Sequence, residues 1–248
     1  MNNLYQQSQI LCHGGIFFAP MKVFTRGHEA MAKTTLTISS KNYSSWSLRG
    51  WLMAKMSGIE FEEVKVPTDT PDSRAELLLL SPSILVPCLL HNKIKVWDTL
   101  AIGEYLNEIA PKQNLLPSNA VHRAHCRAIC GEMHSGFTAL RSSLPMNIKA
   151  RIPMTQVWSK AQMDIDRILE IWEHCLHTYK GPYLFGRTPC MADAMYAPVV
   201  TRFMTYGIPL DPLFEKYSKQ ILSMPFMKEW IADAQSEPDD IEELEVEF

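Results

Sequence analysis

The chain has 248 residues, of which 46% are apolar and 21% charged, and its formal net charge is −3. This length and apolar content allow one large domain or two smaller ones, and they exclude global disorder. Because no basic stripe is present, nucleic acid is not expected as a partner. No stretch approaches the roughly 18 apolar residues of a membrane span, so no membrane association is expected.

The six cysteines are scattered through segments with an apolar, core-like pattern, and none forms Cys-x-x-Cys. This distribution is typical of reduced thiols and predicts a cytoplasmic protein. The cysteines are Cys12, Cys88, Cys126, Cys130, Cys175 and Cys190.

Residues 1–33 differ from the rest of the chain. The apolar stretch from Ile10 to Pro20 is short, and no Lys or Arg precedes it. A signal peptide is one interpretation, and a true start at Met21 or Met31 is another. We favour an unstructured or spurious extension, because clear patterning begins only at Thr34.

Strand and helix patterns alternate from residue 34 to residue 112. Periodicity predicts strands at 36–38, 61–66, 85–90 and 94–97, with helices at about 46–57, 73–80 and 100–109. The order β-α-β-α-β-β-α is that of a thioredoxin-like domain.

The remaining pattern is entirely helical, with helices predicted at about 119–143, 154–179, 190–206 and 224–235. Strands and helices in separate blocks favour two domains. We therefore predict a thioredoxin-like α/β domain over 34–112, an all-α helical bundle over 119–236 and an acidic tail over 237–248.

Pro87 lies between Val86 and Cys88 inside a predicted strand, where a residue without an N–H is unusual. One interpretation is a cis peptide bond that leaves the Val86 backbone groups free to pair with an extended peptide ligand. The other is a simple edge strand with a trans proline. The residues alone favour neither.

Two polar pairs precede predicted helices. Asp98 and Thr99 come where a strand ends, so backbone N–H groups there attract a carboxylate and Asp98 can accept from an ammonium group. Ser44 and Ser45 precede the first helix, where a hydroxyl and the helix dipole can stabilise a thiolate. Simple helix capping is the more common role of either pair taken alone.

Read together, four motifs resemble those of the glutathione-transferase superfamily, over about residues 34–235. The first is Ser44-Ser45-Trp46-Ser47-Leu48-Arg49, which resembles Ser-Ser-Cys-Ser-x-Arg of the zeta class, the maleylacetoacetate isomerases. The second is Val86-Pro87, which resembles the family's cis-proline turn, and the third is Asp98-Thr99-Leu100-Ala101-Ile102, which resembles Glu/Asp-Ser-x-Ala-Ile. The fourth runs from Phe185-Gly186 through Ala192-Asp193 and resembles the element that starts a central helix of the second domain.

The resemblance implies a glutathione-dependent transferase with glutathione as co-substrate. It implies that Val86 and Pro87 hold the cysteinyl part, that Asp98 and Thr99 hold the γ-glutamyl end, and that Ser44 or Ser45 stabilises the thiolate. It also implies a small electrophilic substrate bound between the domains, no metal, a role in detoxification, and a homodimer formed through the helices near 99–109 and 119–143.

The chain departs from the family pattern where the glycyl carboxylate of glutathione is held. Ile84 replaces a glycine, and Leu85 replaces a lysine or glutamine. Lys41 or Lys65 would have to substitute for the missing donor. Trp46 replaces the zeta-class cysteine, so isomerisation does not follow from the motif alone.

His134, Arg141 and Trp46 are the predicted second-substrate residues. His134 and Arg141 are seven residues apart, which places them on one face of a continuous helix, and Arg141 can hold an anionic substrate. A surface arginine paired with a carboxylate is the alternative. The row His122, Cys126, Cys130 and His134 is about 18 Å long, too long for one metal ion.

Two rival functions remain open from the sequence. The first is a binding protein of the same fold whose glutathione affinity was lost through Ile84 and Leu85. The second is a glutathione-dependent thiol reductase, although the Ser44–Ser45 loop contains no cysteine.

Overall fold

A computed structural model describes residues 34–66, 85–153 and 156–237. The predicted extension 1–33, the predicted helix 73–80, Ile84 and residues 238–248 of the acidic tail lie outside these ranges.

The described chain forms a mixed four-stranded sheet in the order β2-β1-β3-β4. The strands are β1 (Thr35–Ile38), β2 (Glu62–Lys65), β3 (Cys88–His91) and β4 (Ile94–Val96). β1 pairs parallel with β2 and antiparallel with β3, which pairs antiparallel with β4. Because parallel neighbours need a crossover connection, helix α1 (Ser45–Ser57) joins β1 to β2.

Helix α1 is largely enclosed. Leu48, Trp51, Leu52 and Met53 are all buried, because the helix contacts both α2 (Thr99–Ile109) and a helix of the second half. Gly58 ends α1 in the left-handed conformation with φ 72°, which glycine adopts without a steric penalty.

The second half is helical throughout the described residues. Its helices are α3 (Ala120–Ser135), α4 (Thr138–Ser143), α5 (Ser159–Tyr179), α6 (Met191–Tyr206), α7 (Pro212–Ser223) and α8 (Pro225–Gln235). Among these helices, α6 is buried along nearly its whole length.

The start of α6 depends on the buried carboxylate of Asp193. It accepts hydrogen bonds from Cys190 N (2.8 Å), Leu184 N (3.0 Å) and the Tyr217 hydroxyl (3.2 Å). Burial raises the pKa of Asp193 to about 6, although these donors oppose the rise. The carboxylate thereby joins α6 to α7 and to the chain before α6.

The structure confirms the predicted fold class, but some predicted bounds are wrong and one helix was not predicted. The helix predicted at about 154–179 begins only at Ser159. The predicted helix 119–143 is two helices, because Phe137 has φ 59° and interrupts the helical backbone after Gly136. The inference that His134 and Arg141 share one face of a continuous helix was therefore wrong.

Helix α7 was not predicted, although Asp211 and Pro212 are a typical helix start and Phe214, Tyr217 and Ile221 recur at helical spacing. The third strand begins at Cys88 rather than at residue 85, so Pro87 lies just before the pairing. Within the described residues, no helix is long and apolar enough to cross a bilayer.

Candidate functional site

The two predicted catalytic serines have different surroundings at the start of α1. Ser44 is the N-cap: its Oγ accepts from Ser47 N (3.2 Å) and donates to Ser47 Oγ (2.8 Å). The Ser47 hydroxyl in turn accepts from Ser39 N (3.1 Å), which links the helix start to β1. Ser45 is the first helical residue, and its half-buried hydroxyl has no hydrogen bond within the described chain.

Pro87 packs directly against α1. The peptide bond between Val86 and Pro87 is cis, as the first of the two interpretations expected. A Cβ atom on Gly50 would lie 2.4 Å from Pro87 Cγ, so only glycine allows this approach. Val86 is half-buried and precedes the β3 pairing, while the side chain of Leu85 is 59% exposed.

Asp98 and Thr99 form the start of α2. One carboxylate oxygen of Asp98 accepts from Leu100 N (3.0 Å) and caps the helix. The other lies 2.8 Å from Nε2 of His134, a residue of α3. Thr99 is fully buried, and its hydroxyl has no hydrogen-bond partner in the described ranges. Buried hydroxyls are nearly always paired, so the Thr99 hydroxyl is an unusual feature at the start of α2.

The Trp46 indole connects the two helix starts. Its ring centroid lies 5.2 Å from that of His134, which is bonded to Asp98. The guanidinium carbons of Arg49 and Arg141 lie 4.6 Å and 4.8 Å from the same indole. A chain of contacts therefore joins Trp46, at the start of α1, to Asp98, at the start of α2. The predicted Trp46, His134 and Arg141 form one group.

Arg49, Arg141 and Arg202 concentrate positive charge near Trp46. Arg49 and Arg202 are buried and donate to backbone carbonyls: Arg49 Nε to Met195 O (2.8 Å) and Arg202 Nε to Leu144 O (2.9 Å). Burial, with Arg202 and Arg141 nearby, holds the pKa of Arg49 well below its usual range. Burial, aided by Arg141, lowers the pKa of Arg202 to about 10.

Arg141 is the arginine of this group that is only half-buried. It donates to the backbone carbonyls of Met133 and His134, so Arg141 and His134 are in contact although they lie on two separate helices. The Nε atom of Arg141 has no partner among the described residues. Burial lowers the pKa of Arg141, and Asp164 opposes that shift. No carboxylate of the described chain pairs with these three arginines, so the alternative of an arginine paired with a carboxylate has no partner among the described residues.

The two lysines considered for the glycyl carboxylate are already engaged. Lys41 is 3% exposed, and its Nζ lies 2.7 Å from both Glu63 and Asp233. Lys65 forms an ion pair with Glu237. The Lys41 amine is therefore enclosed with two carboxylates, whereas Lys65 is half-exposed and has one described carboxylate partner.

The described cysteines give no support to the rival thiol-reductase function. In the described ranges the cysteines are buried free thiols. Burial raises the pKa of Cys175 to about 12 and that of Cys190 well above its usual value. The row that suggested a metal is divided, because Cys126 and Cys130 are buried while the ring of His122 meets that of Tyr179 edge-to-face at 4.6 Å.

Sequence reasoning missed Ser47, Gly50 and Arg202. The Ser44–Ser47 spacing is an available signal for a cap, since an N-cap hydroxyl typically bonds the N–H three residues on. Gly50 and Arg202 carry no local signal, because their contacts are with Pro87 and with Leu144, which are distant in sequence.

Two family models match the chain and together cover more than half of it: "Glutathione S-transferase, N-terminal domain" over residues 43–109 and "Glutathione S-transferase, C-terminal domain" over residues 154–232. The maleylacetoacetate isomerase of Mus musculus is 26% identical over 205 residues, which are 81% of this chain and 92% of that protein. The Rattus norvegicus enzyme of the same name is 28% identical over 171 residues, or 68% of this chain and 77% of that protein.

Solved structures show the same fold. A glutathione transferase homolog from Burkholderia, solved with bound glutathione, superposes with a TM-score of 0.63 at 21% identity, covering 83% of this chain and 99% of that one. The maleylacetoacetate isomerase from Anaeromyxobacter dehalogenans superposes with a TM-score of 0.59 at 22% identity, covering 84% and 93%. At this identity the likeness establishes the architecture alone.

Proposed function

The chain belongs to the glutathione S-transferase family, and from this premise we propose that it is a glutathione-dependent transferase which stabilises the thiolate of glutathione for attack on a small electrophile. The observation that carries the proposal is the contact from Trp46 through His134 to Asp98. It brings the N-termini of α1 and α2 together, and each N-terminus favours an anion.

The start of α2 is suited to the γ-glutamyl end of glutathione. The unpaired Thr99 hydroxyl and the first N–H groups of the helix can donate to the α-carboxylate. The Asp98 carboxylate can accept from the α-ammonium group, in the place that His134 occupies in this structure. Val86, which lies outside the strand pairing beside Pro87, offers its backbone groups to the cysteinyl part.

We assign the thiolate to Ser45 and the helix cap to Ser44. The Ser44 hydroxyl already donates to Ser47, whereas the Ser45 hydroxyl is unpaired within the described chain. A hydroxyl donor together with the N-terminal dipole of α1 lowers the pKa of a bound thiol, because both favour the negative charge. The protein thereby increases the nucleophilic fraction at neutral pH.

The second substrate is an anionic electrophile bound beside Trp46 and Arg141. Three arginines without carboxylate partners leave positive charge that a substrate anion can balance, and of the three only Arg141 is half-exposed. The residues 34–112 hold glutathione in this proposal, and the residues 119–236 supply most of the second pocket.

A glutathione-dependent cis–trans isomerase of the zeta type is the second candidate. The relatives named maleylacetoacetate isomerase favour it, and so does the arginine group. In that reaction the thiolate adds to an enone and later leaves, so glutathione is regenerated. We further propose a cytoplasmic homodimer, with α2 and α3 as its interface and detoxification as its role.

Titration calorimetry with glutathione tests the proposal. We expect the wild-type protein to bind the tripeptide, and Asp98→Asn, which keeps an oxygen for the cap, to bind about tenfold or more weakly, because a hydrogen bond to a charged group contributes about 1.5–3 kcal/mol. Glu108→Gln removes an exposed carboxylate from the other end of α2 and is the control. A wild-type protein that takes up no glutathione refutes the proposal and favours a binding protein of the same fold.

A further inference from the structure

A carboxylate from the C-terminal end of the described chain lies on the loop that precedes the two serines. Glu237 follows α8 and accepts hydrogen bonds from Ser40 Oγ (2.7 Å), Lys41 N (2.7 Å) and Asn42 N (3.1 Å). Lys65 of β2 adds an ion pair, and the Glu237 side chain is only 8% exposed. One carboxylate thus collects four donors, three of which belong to three successive loop residues.

Asp233 and Trp230 of α8 hold the same loop through Lys41. The Lys41 amine lies 2.7 Å from Asp233 and 5.2 Å from the centroid of the Trp230 ring. The indole N–H of Trp230 donates to the backbone carbonyl of Lys41 (2.9 Å). Helix α8 therefore contacts the side chain and the carbonyl of Lys41, and Glu237, which follows the helix, contacts the N–H of the same residue.

The loop of Ser40, Lys41 and Asn42 leads directly into the proposed thiolate site. Ser40 Oγ accepts from Asn42 N (3.1 Å) and Tyr43 N (3.2 Å), and Ser40 O accepts from Ser44 N (3.0 Å). Residues 40–44 therefore form a closed turn in which the hydroxyl that bonds Glu237 also sets the direction of the chain at Ser44. The position of Ser45 follows from that turn, because it is the next residue.

Lys149 links the turn to Glu237 by a second set of hydrogen bonds. Asn42 Oδ1 accepts from Lys149 N (2.9 Å), and the Lys149 amine donates to the carbonyl oxygen of Glu237 (2.8 Å). Glu237 therefore contacts the turn directly with its carboxylate and indirectly with its backbone.

We propose that Asp233 and Glu237, here named the C-terminal clasp, are positioning residues for the reaction. The clasp holds the turn 40–44 so that the Ser45 hydroxyl and the first N–H groups of α1 meet the sulfur of bound glutathione. This inference rests on the proposed function, and it assigns to the end of the helical half a role in thiolate stabilisation that the sheet half cannot supply alone. A displacement of about 1 Å at such a site can cost about a hundredfold in rate.

The pH dependence of turnover tests the clasp. Glu237→Gln keeps the size of the side chain but removes the charge and places an amide N–H against the loop donors. We expect kcat/KM for glutathione at neutral pH to fall about tenfold, as for loss of one charge-assisted hydrogen bond, and the pKa in its pH profile to rise. Glu229→Gln is the control: it removes a carboxylate of α8 that pairs with Lys55 at 2.7 Å, and it should leave both the rate and the pKa unchanged.

Amide hydrogen exchange provides the second measurement. In Glu237→Gln the N–H groups of Lys41 and Asn42 should exchange faster, while those of Asp193 and its neighbours in α6 keep their protection. If Glu237→Gln yields too little folded protein, Asp233→Asn, which leaves Lys41 paired with Glu63, should shift the profile in the same direction.

The outcomes separate the two proposals. A wild-type protein without glutathione turnover overturns the proposed function and the clasp with it. Wild-type turnover together with a folded Glu237→Gln variant of unchanged pH profile overturns the clasp alone. A rate loss without a change in the profile's pKa is a general stability effect and also overturns it.

Discussion

Ser44 and Ser45 are neighbours of the same residue type, yet their hydroxyl groups have different partners. Ser44 donates to Ser47 and accepts from its backbone, so its hydroxyl is committed to the start of α1. Ser45 is unpaired in the described ranges. This difference allows two substitutions of equal chemistry to be compared.

Ser45→Ala should lower kcat/KM for glutathione about tenfold to a hundredfold and raise the pKa in its pH profile, because the thiolate loses its donor. Ser44→Ala should instead lower the free energy of unfolding by about 1 kcal/mol, as for loss of an N-cap. The measurements are steady-state kinetics across pH and urea unfolding. The opposite assignment follows if Ser44→Ala moves the kinetic pKa and Ser45→Ala does not.

Arg141 should discriminate between substrates by charge. Arg141→Met keeps an unbranched stem and removes the guanidinium. We expect it to reduce kcat/KM for maleylacetone about tenfold or more relative to that for a neutral chloronitrobenzene, because a charged hydrogen bond to the substrate anion is lost. Arg151→Met is the control, since Arg151 also donates to backbone carbonyls but is exposed. Equal losses for both substrates would contradict an anion site.

At the scale of elements, the contact between α1 and the chain before β3 depends on Gly50. An alanine there would be favoured in a helix by about 1 kcal/mol. Its methyl group would however meet the Pro87 ring at 2.4 Å, and overpacking costs about 1–3 kcal/mol. The steric cost of the methyl group exceeds its gain in helix propensity, so Gly50→Ala should lower the midpoint of thermal unfolding and weaken glutathione binding.

Gly131→Ala is the matched control for this prediction. Gly131 lies inside α3, and a Cβ atom there would meet nothing within 4 Å. We expect this variant to be as stable as the wild type or up to about 1 kcal/mol more stable. If Gly50→Ala stabilises the protein as Gly131→Ala does, the close approach to Pro87 is wrong.

Across the whole molecule, Glu237 joins the C-terminal end of the described chain to its first loop, and this contact should depend on pH. Burial alone would raise the pKa of Glu237, but Lys65, Lys41 N, Ser40 and Asn42 N outweigh it, so the pKa is lowered. A carboxyl group whose folded pKa is lowered stabilises the fold above its unfolded pKa of about 4.3 and loses that contribution as pH falls through the folded value.

The free energy of unfolding should therefore differ most between wild type and Glu237→Gln at neutral pH, and the difference should shrink below about pH 4.3. Urea unfolding at a series of pH values measures both. A difference that stays constant down to pH 3 would show that the charge of Glu237 does not contribute to the stability.

The proposed homodimer is the other prediction at this scale. Val121 of α3 is 74% exposed, and Val121→Glu should weaken association at least about tenfold, since an unpaired carboxylate buried in an interface costs about 2 kcal/mol or more. Analytical ultracentrifugation measures the change. Met163→Glu, at a residue of α5 that is 71% exposed, should leave the assembly intact. A wild-type protein that sediments as a single chain contradicts the proposal.

The sequence by itself determined the order of strands and helices, the fold class and the family, because hydrophobic periodicity and short motifs such as Val86-Pro87 are local properties of the chain. It also placed Asp98 and Ser44 at helix starts, since capping involves residues two or three positions apart. It did not separate Ser44 from Ser45, because both satisfy the same local pattern.

Only the tertiary structure decided which polar groups are already paired. Lys41 forms ion pairs with Glu63 and Asp233, and Asp98 is hydrogen-bonded to His134. The three arginines near one another come from α1, α4 and α6. The break at Phe137 likewise overrode a continuous helical pattern. Such pairings depend on distances between residues far apart in the chain, and those distances are set by the packing of the whole core rather than by any local preference.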